Sequence, residues 1–221
     1  MKIALLGAGK TGGKVSELHE NTVIFNQSNK LTLEKLSECD VVVSFLPGDA
    51  FVEYIDVLIE SKLPVVTGST GFDWPKDIDA KLKENNLKWI RAHNFSLGMN
   101  IVKSMIEYLG KAKNLFEDIE FNIHDIHHIH KKDSPSGTAL SWKEWLDAPC
   151  EITAERTGDV VGYHHVEMTT PVEKIKLTHE ALDRAIFAQG AIWSAQKVLS
   201  DDSIDTGLTH FSEIVKKHLN I

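Results

Sequence analysis

The sequence predicts an α/β fold, with a Rossmann-type parallel sheet in its N-terminal part and a second, mixed or antiparallel sheet after it. Three observations predict it. Apolar β-branched runs alternate with amphipathic segments through the first half. A glycine-rich turn follows the first of those runs. After "HNFSLGMN" (His93 to Asn100) the rhythm changes to strands that follow one another without crossover helices.

In order along the chain, "KIALLG" (Lys2 to Gly7) reads as a buried strand and "TVIF" (Thr22 to Phe25) as a second. "DVVVSFL" (Asp40 to Leu46) and "PVVTGS" (Pro64 to Ser69) add two more. Between them "DAFVEYIDVLIESK" predicts one helix, capped by Asp49, with Phe51, Ile55, Leu58 and Ile59 on one face. "DWPKDIDAKLKENN" predicts another helix with Pro75 in its first turn, and "LKWIRA" a fifth strand. "IVKSMIEYLGKAKN" then reads as a helix and "FEDIEFNIHDIHHIH" as a long strand. A helix starts near Ser136, strands lie around Cys150 to Arg156, Val160 to Thr169 and Lys174 to Ala181, and two helices close the order.

A chain of 221 residues can bury a substantial core. Its net charge of −8 argues against broad attraction to nucleic acid or an anionic membrane. An anion must therefore be held by a few focused groups. Cys39 and Cys150 form no CxxC pair, which fits reduced thiols and predicts a cytoplasmic protein. No apolar run approaches the roughly 20 residues of a membrane span.

"IALLGAGKTGGKV" places Gly7, Gly9 and Gly12 as G-x-G-x-x-G between a strand and a helix, with Ala8, Lys10 and Thr11 interleaved. Gly7 makes the tight turn, Gly9 admits a pyrophosphate to the backbone, and Gly12 lets helix and strand pack closely. The acidic residue usual some 20 positions on is replaced by Asn26, which does not repel a 2′-phosphate, and Ser28 and Lys30 lie nearby. NADPH is therefore expected to be accepted alongside NADH. "GSTGF", containing Gly68, Ser69 and Thr70, and "AHNFS", containing Ala92, His93, Asn94 and Phe95, end two further strands, where ligands bind in open parallel sheets.

"HDIHHIHKKDSPSGTAL" packs four of the eleven histidines into seven residues. On an extended strand His128 and His130 share one face, and His127, Ile129 and Lys131 the other. Chelation by His128 and His130, with His124 and Asp125 nearby, is one reading. No cysteine partner and no H-E-x-x-H helix supports it, and no metal is expected. A merely solvated polar strand is a second reading, and acid/base and anion chemistry is the third. Ser136, Gly137 and Thr138 sit where Pro135 ends the extended chain and a helix starts, so their N–H and hydroxyl groups suit a carboxylate. Lys131 adds positive charge, and a neighbouring histidine exchanges a proton near neutral pH.

"HHIHKKDSPSGTA" resembles the signature H-H-x-x-K-x-D-x-P-S-G-T-A of the 4-hydroxy-tetrahydrodipicolinate reductase (dihydrodipicolinate reductase) family. "GAGKTG", "GSTGF", "NFSLGMN", "RTGDVVGYH" and "THEALDRAIFAQGA" extend the resemblance in order along the chain. It implies NADH- or NADPH-dependent reduction of a cyclic imine dicarboxylate, with loss of water, on the diaminopimelate route to lysine. It implies that His127 is the proton donor with Lys131 its partner, and that His128, Gly137 and Thr138 hold the substrate carboxylate together with Ser136. It implies that residues 1–95 and 184–221 form the dinucleotide domain. Residues 96–183 would be an inserted α+β domain that binds substrate and builds a homotetramer. Asp125 stands where the family often has Glu, His93 where a small residue is common, and Tyr163 where "GEH" has an acid. The competing readings are another imine or semialdehyde reductase, a nucleotide sensor without turnover, and a metal-dependent hydrolase.

Overall fold

The computed structural model describes residues 1–220. Its chain divides into two compact units, residues 1–97 with 184–221 and residues 98–183.

The first unit opens with β1 (Ile3–Leu6), α1 (Gly12–Leu18), β2 (Thr22–Phe25), α2 (Leu33–Leu36), β3 (Val41–Ser44), α3 (Gly48–Val52), α4 (Ile55–Glu60), β4 (Val65–Thr67), α5 (Ile78–Glu84) and β5 (Lys88–Arg91). α6 (Leu97–Leu109) opens at the boundary and runs into the second unit. There a short 3₁₀ turn at Gly110–Asn114 leads to β6 (Glu120–His127), α7 (Gly137–Leu146), β7 (Glu151–Arg156), β8 (Gly162–Thr169) and β9 (Lys174–Ala181). α8 (Ala185–Ser200), β10 (Gly207–His210) and α9 (Phe211–Leu219) return to the first unit.

All six strands of the first sheet are parallel, in the order β10-β5-β4-β3-β1-β2. β1, β3 and β4 are buried throughout, because helices cover both faces. One layer of core gathers Ile3, Leu5, Val43, Ile90, Ala188, Ala191 and Phe211. The other gathers Ala4, Leu6, Phe51, Leu58, Leu82 and Trp89. Successive residues of one strand serve opposite layers, as the pleat requires. The order turns back on itself between β1 and β3, and Gly7 lies there against Phe45 and Leu46.

The second sheet runs β7-β6-β8-β9, with β6 and β7 parallel and the other pairs antiparallel. Phe121, Ile123, Val166 and Met168 pack on Met99, Ile106, Trp142 and Leu146 from the helices.

Several sequence expectations are corrected. The segment from Asp49 is two helices, α3 and α4, and α3 is preceded by Pro47, with Asp49 inside its first turn. The interruption leaves Phe51, Ile55 and Leu58 in one core and brings Tyr54 onto it as well. Pro75 precedes α5 instead of starting it: Phe72 and Trp74 pack on Phe51, each with ring centroids 5.7 Å away, and hold this stretch off the helix path. The long strand through His130 stops at His127, and a turn closes from Lys131 N–H to the His128 carbonyl at 3.1 Å. A crossover helix is present in the second unit after all, since α7 connects the parallel pair β6 and β7. β10 and the single-turn α2 were not foreseen.

Candidate active site

The two units each present a set of groups with chemistry. In the first unit, Gly7 to Thr11 follow β1, Asn26 follows β2, Gly68 to Thr70 follow β4 and Ala92 to Phe95 follow β5. Because every strand is parallel, these loops lie along one edge of the sheet, where ligands bind in such folds.

The glycine loop has the features a pyrophosphate needs. Gly7 adopts φ +85°, which an L side chain resists, and a Cβ there would press within 2.8 Å of the backbone at Phe45 and Leu46. At Gly12 a Cβ would fall 1.8 Å from the Gly7 carbonyl oxygen, so helix and strand touch through bare backbone. Gly9 is the opposite case: nothing lies within 4 Å of where its Cβ would be, and Ala8, Gly9 and Lys10 are exposed. The residues present therefore fit a dinucleotide.

Asn26 accepts N–H groups of Ser28 and Asn29 at 2.9 Å through Oδ1, so its amide nitrogen is the part left for a ribose hydroxyl. Ser69 is buried and its hydroxyl shares a hydrogen bond with Ser44 at 3.2 Å. Thr70 offers its carbonyl to Gly48 N–H at 3.1 Å. Ala92 N–H is taken by the Thr67 carbonyl, and Asn94 accepts Ser96 N–H, while His93 is exposed. Phe95 closes this stretch. Its ring is core, 1% exposed and packed on Phe45 and Phe211, so only its backbone remains for a ligand.

In the second unit the geometry follows from strand pleat and register. Phe121, Ile123, Asp125 and His127 alternate onto the helix-facing side of β6. Register sets His164 of β8 opposite Asp125, and Arg156 of β7 opposite His127. Asp125 is fully buried. A buried carboxylate costs several kcal/mol unless partnered, and this one is surrounded by donors. Ser136 N–H donates to Oδ2 at 2.8 Å and Ser136 Oγ to Oδ1 at 2.8 Å. Arg156 Nη2 donates to Oδ2 at 3.2 Å. His164 Nε2 lies 3.1 Å from Oδ1, and His127 Nδ1 2.9 Å from the same oxygen. That last N–H does not point along the line to the oxygen, so the contact is one of charge and ring placement more than a directed hydrogen bond.

Burial tends to raise the Asp125 pKa, but the two Ser136 hydrogen bonds and the neighbouring imidazoles outweigh it and hold the carboxyl below its ordinary range. Burial lowers the His127 pKa, Asp125 opposes that, and Lys131 and Arg156 add to the lowering. Burial pushes His164 down to about 4, against the pull of Asp125.

His127 is 7% exposed, and its Nε2 lies beside Gly162, where a Cβ would come within 3.2 Å. With no Cβ, Gly162 leaves that nitrogen unobstructed on its side. Lys131 Nζ pairs with Asp133 Oδ1 at 2.8 Å. Asp133 is held below the ordinary carboxylate range chiefly by Lys131, with Gly137 N–H adding a smaller pull. Gly137 is exposed with open space at its Cβ, and Thr138 is half-buried beside it. His128 is half-buried with Nδ1 unpartnered. Its ring lies 6.2 Å from that of His130, beyond the strand end, so strand alternation does not place this pair.

Ser136 is bonded within the protein. It caps α7 by accepting Ala139 N–H at 3.1 Å, and both of its donors go to Asp125, which leaves neither for a ligand. Arg156, His164 and Gly162 do not figure in the sequence expectations for this cluster, and Asp125 figures there only as a neighbour in the metal reading. The i, i+2 spacing of Asp125 and His127 was a usable signal for Asp125, whereas the others needed the register. Asp125, His127 and His164 also bring three ligand atoms within 4.8 Å of one another. The Arg156 guanidinium on the same carboxylate, with Lys131 close by, makes this a poor seat for a cation.

Comparison with known proteins covers nearly the whole chain. The family pattern described as "Dihydrodipicolinate reductase, N-terminus" matches residues 8–95, and "Dihydrodipicolinate reductase, C-terminus" matches residues 98–214. A 4-hydroxy-tetrahydrodipicolinate reductase of Christiangramia forsetii is 33% identical, covering 98% of this chain and 100% of its own. One from Methanocaldococcus jannaschii is 32% identical, over 85% of this chain and 73% of its own. Among solved structures, a dipicolinate-bound dihydrodipicolinate reductase from Paenisporosarcina sp. TG-14 superposes with a TM-score of 0.77 at 20% identity, covering 97% of this chain and 99% of that one. This likeness is one of fold: a Rossmann-like parallel sheet plus a second, mixed-sheet domain.

Proposed function

The chain belongs to the dihydrodipicolinate reductase family, and from that premise we propose how its residues carry out the reaction. It is an oxidoreductase that reduces 4-hydroxy-tetrahydrodipicolinate to tetrahydrodipicolinate on the diaminopimelate route to lysine, using a nicotinamide dinucleotide. The observation that carries this is identity of 33% with a reductase of that name, over 98% of this chain and 100% of that one.

The first unit would hold the dinucleotide, with Gly7 to Gly12 at the pyrophosphate and Asn26 at the adenosine ribose. Gly68 to Thr70 and Ala92 to Asn94, with the Phe95 backbone, would border the nicotinamide. When bound, the nicotinamide supplies a hydride. Asn26 brings no negative charge to its loop, so both NADPH and NADH are accepted on this reading.

In the second unit, His127 donates the matching proton from Nε2 to the ring position next to the carbon that is reduced. One hydride and one proton are added after water has left, and the nucleotide is oxidised in balance. Lys131, His128 and the N–H groups of Gly137 and Thr138 hold a substrate carboxylate and stabilise negative charge that develops on the ring. Asp133 sits on that same ammonium group at 2.8 Å, so a substrate carboxylate there would compete with it.

The assembly we assign is a homotetramer built through the second unit. In support, its sheet has one face covered by helices, while the other carries Asn122, His124, Tyr163 and His165, only half-buried. A cytoplasmic location fits a biosynthetic reductase, and among the described residues no helix is long and apolar enough to cross a membrane.

The test is a coupled assay. Substrate is generated in place from pyruvate and aspartate semialdehyde, and loss of reduced-nucleotide absorbance is followed with NADH and NADPH separately. Oxidation that depends on both precursors supports the reading. Tight nucleotide binding without oxidation would turn it into a sensor.

A further inference from the structure

We propose that Asp125 is a positioning residue for the proton-donating imidazole: its carboxylate, pinned by Ser136 and Arg156, holds the His127 ring with Nδ1 inward and Nε2 toward the substrate. The proposal rests on the reading of His127 as donor.

The geometry is that of a fixed charge. An ionised carboxylate accepts at about four lone-pair positions. Here three are met by Ser136 N–H and Oγ at 2.8 Å each and by Arg156 at 3.2 Å, and two imidazole nitrogens stand at 2.9 and 3.1 Å from Oδ1. These partners come from the start of α7, from β7, from β8 and from β6 itself. A carboxylate held from so many directions cannot rotate to follow the ring, so the ring must conform to it. Nδ1 at 2.9 Å from an anionic oxygen has to carry hydrogen, since two lone pairs at that distance repel. Nε2 is then the nitrogen left to give a proton away and to be recharged.

A purely structural role for Asp125, tying the α7 cap to the sheet, would require only the two Ser136 contacts. It would not require that two imidazoles and a guanidinium converge on the same oxygens. The charged and titratable groups facing His127 are Asp125 on its own strand, Arg156 from β7, His164 from β8, and Lys131 and Asp133 from the following loop. His179 of β9 pairs across from His164 and so acts at one remove. Among these, Asp125 is the nearest carboxylate and favours the protonated ring, while Arg156 and Lys131 oppose it.

Opposed variants test the proposal. Asp125→Asn removes the anion and keeps the shape. Arg156→Gln removes the cation that partly neutralises it. The readouts are the NMR titration of the His127 ring and the descending limb of kcat/KM against pH, with folding checked by circular dichroism. Removing an opposite charge at this range moves a titration by about 1–3 pH units. The His127 midpoint and the limb should therefore fall in Asp125→Asn and rise in Arg156→Gln. If Asp125→Asn does not fold, Arg156→Gln carries the test alone. An unmoved midpoint in whichever variant folds overturns the positioning role. His127→Gln separates the two layers. If it is inactive while the midpoints stay put, only the positioning role fails; if it turns over normally, the donor reading fails and the catalytic purpose of Asp125 with it.

Discussion

Asp125 and His127 stand two residues apart on one strand, with a carboxylate oxygen 2.9 Å from Nδ1 and both side chains shut away from solvent. The pleat of β6 makes that pairing unavoidable, because side chains at i and i+2 share a face. It sets one ring nitrogen of His127 beside a fixed charge and leaves the other facing Gly162.

His127→Gln retains a polar side chain of similar reach and removes the transferable proton. Losing a general acid lowers kcat by about 10²–10⁴-fold, with little change in KM for the nucleotide. Steady-state kinetics with each substrate varied in turn check this, and a near-normal kcat would take His127 out of the role.

Lys131 and Asp133 give a pair of opposite outcomes. Lys131→Ala should weaken substrate binding and turnover together. Asp133→Asn should tighten substrate binding, because the internal carboxylate on Lys131 no longer competes. Asp133 is half exposed, and an exposed pair is worth about 0.2–1 kcal/mol, so KM for the substrate should fall by no more than about fivefold. A raised KM in Asp133→Asn would mean that this carboxylate helps to build the pocket.

The glycine loop separates folding from binding. Gly12→Ala drives a methyl onto the Gly7 carbonyl oxygen, 1.8 Å away, and should lower stability by about 1–3 kcal/mol. Gly9→Ala meets no atom within 4 Å and should melt like the parent. It should nevertheless weaken nucleotide binding by about tenfold, or about 1.4 kcal/mol, if the pyrophosphate lies against that position. Melting curves and nucleotide titration distinguish the two. Unimpaired binding in Gly9→Ala would move the phosphates elsewhere.

The sheet histidines make stability depend on pH. His164 has a folded pKa of about 4 against 6.5 for a free imidazole, because burial disfavours its charge. Between those values the unfolded chain binds more protons, so stability rises with pH and is lost as pH falls from about 6.5 toward 4. The His127 shift has the same sign. For His164 alone the loss amounts to roughly 3 kcal/mol across the window. Thermal melts from pH 7.5 to 4.5 should show it, and His164→Gln should flatten the profile; a parent profile already flat over that range would contradict the shift.

What was legible in the sequence was local. β1, β3 and β4 announce themselves as short, mainly apolar runs because both of their faces are covered. The glycine loop is legible because each glycine answers a steric demand within a few residues of itself. The "HDIH" alternation is also local, since residues i and i+2 of a strand share a face, and it suffices to put Asp125 beside His127. Arg156 and His164 reach the same carboxylate only through pairing between strands 30 or more residues apart in the chain, and no local pattern encodes a register. β10 was missed for a related reason: "GLTH" is too short and too polar to read as a strand, and it becomes one by lying against β5. Asp49 as a cap failed because tertiary packing of Phe51 and Tyr54 decided where the helices start and stop.

That last strand has a consequence for biosynthesis. β5 waits for a neighbour synthesised more than a hundred residues later, and the layer of core under α8 and α9 is missing until then. At about 5–20 residues per second, the emerging chain spends several seconds or more with an unpaired sheet edge and an uncovered apolar face. Residues 98–183 contain their own core and can collapse during that pause. The half-built N-terminal unit is thus the stage at which a chaperone would be needed, and ribosome stalling before residue 184 should leave it aggregation-prone.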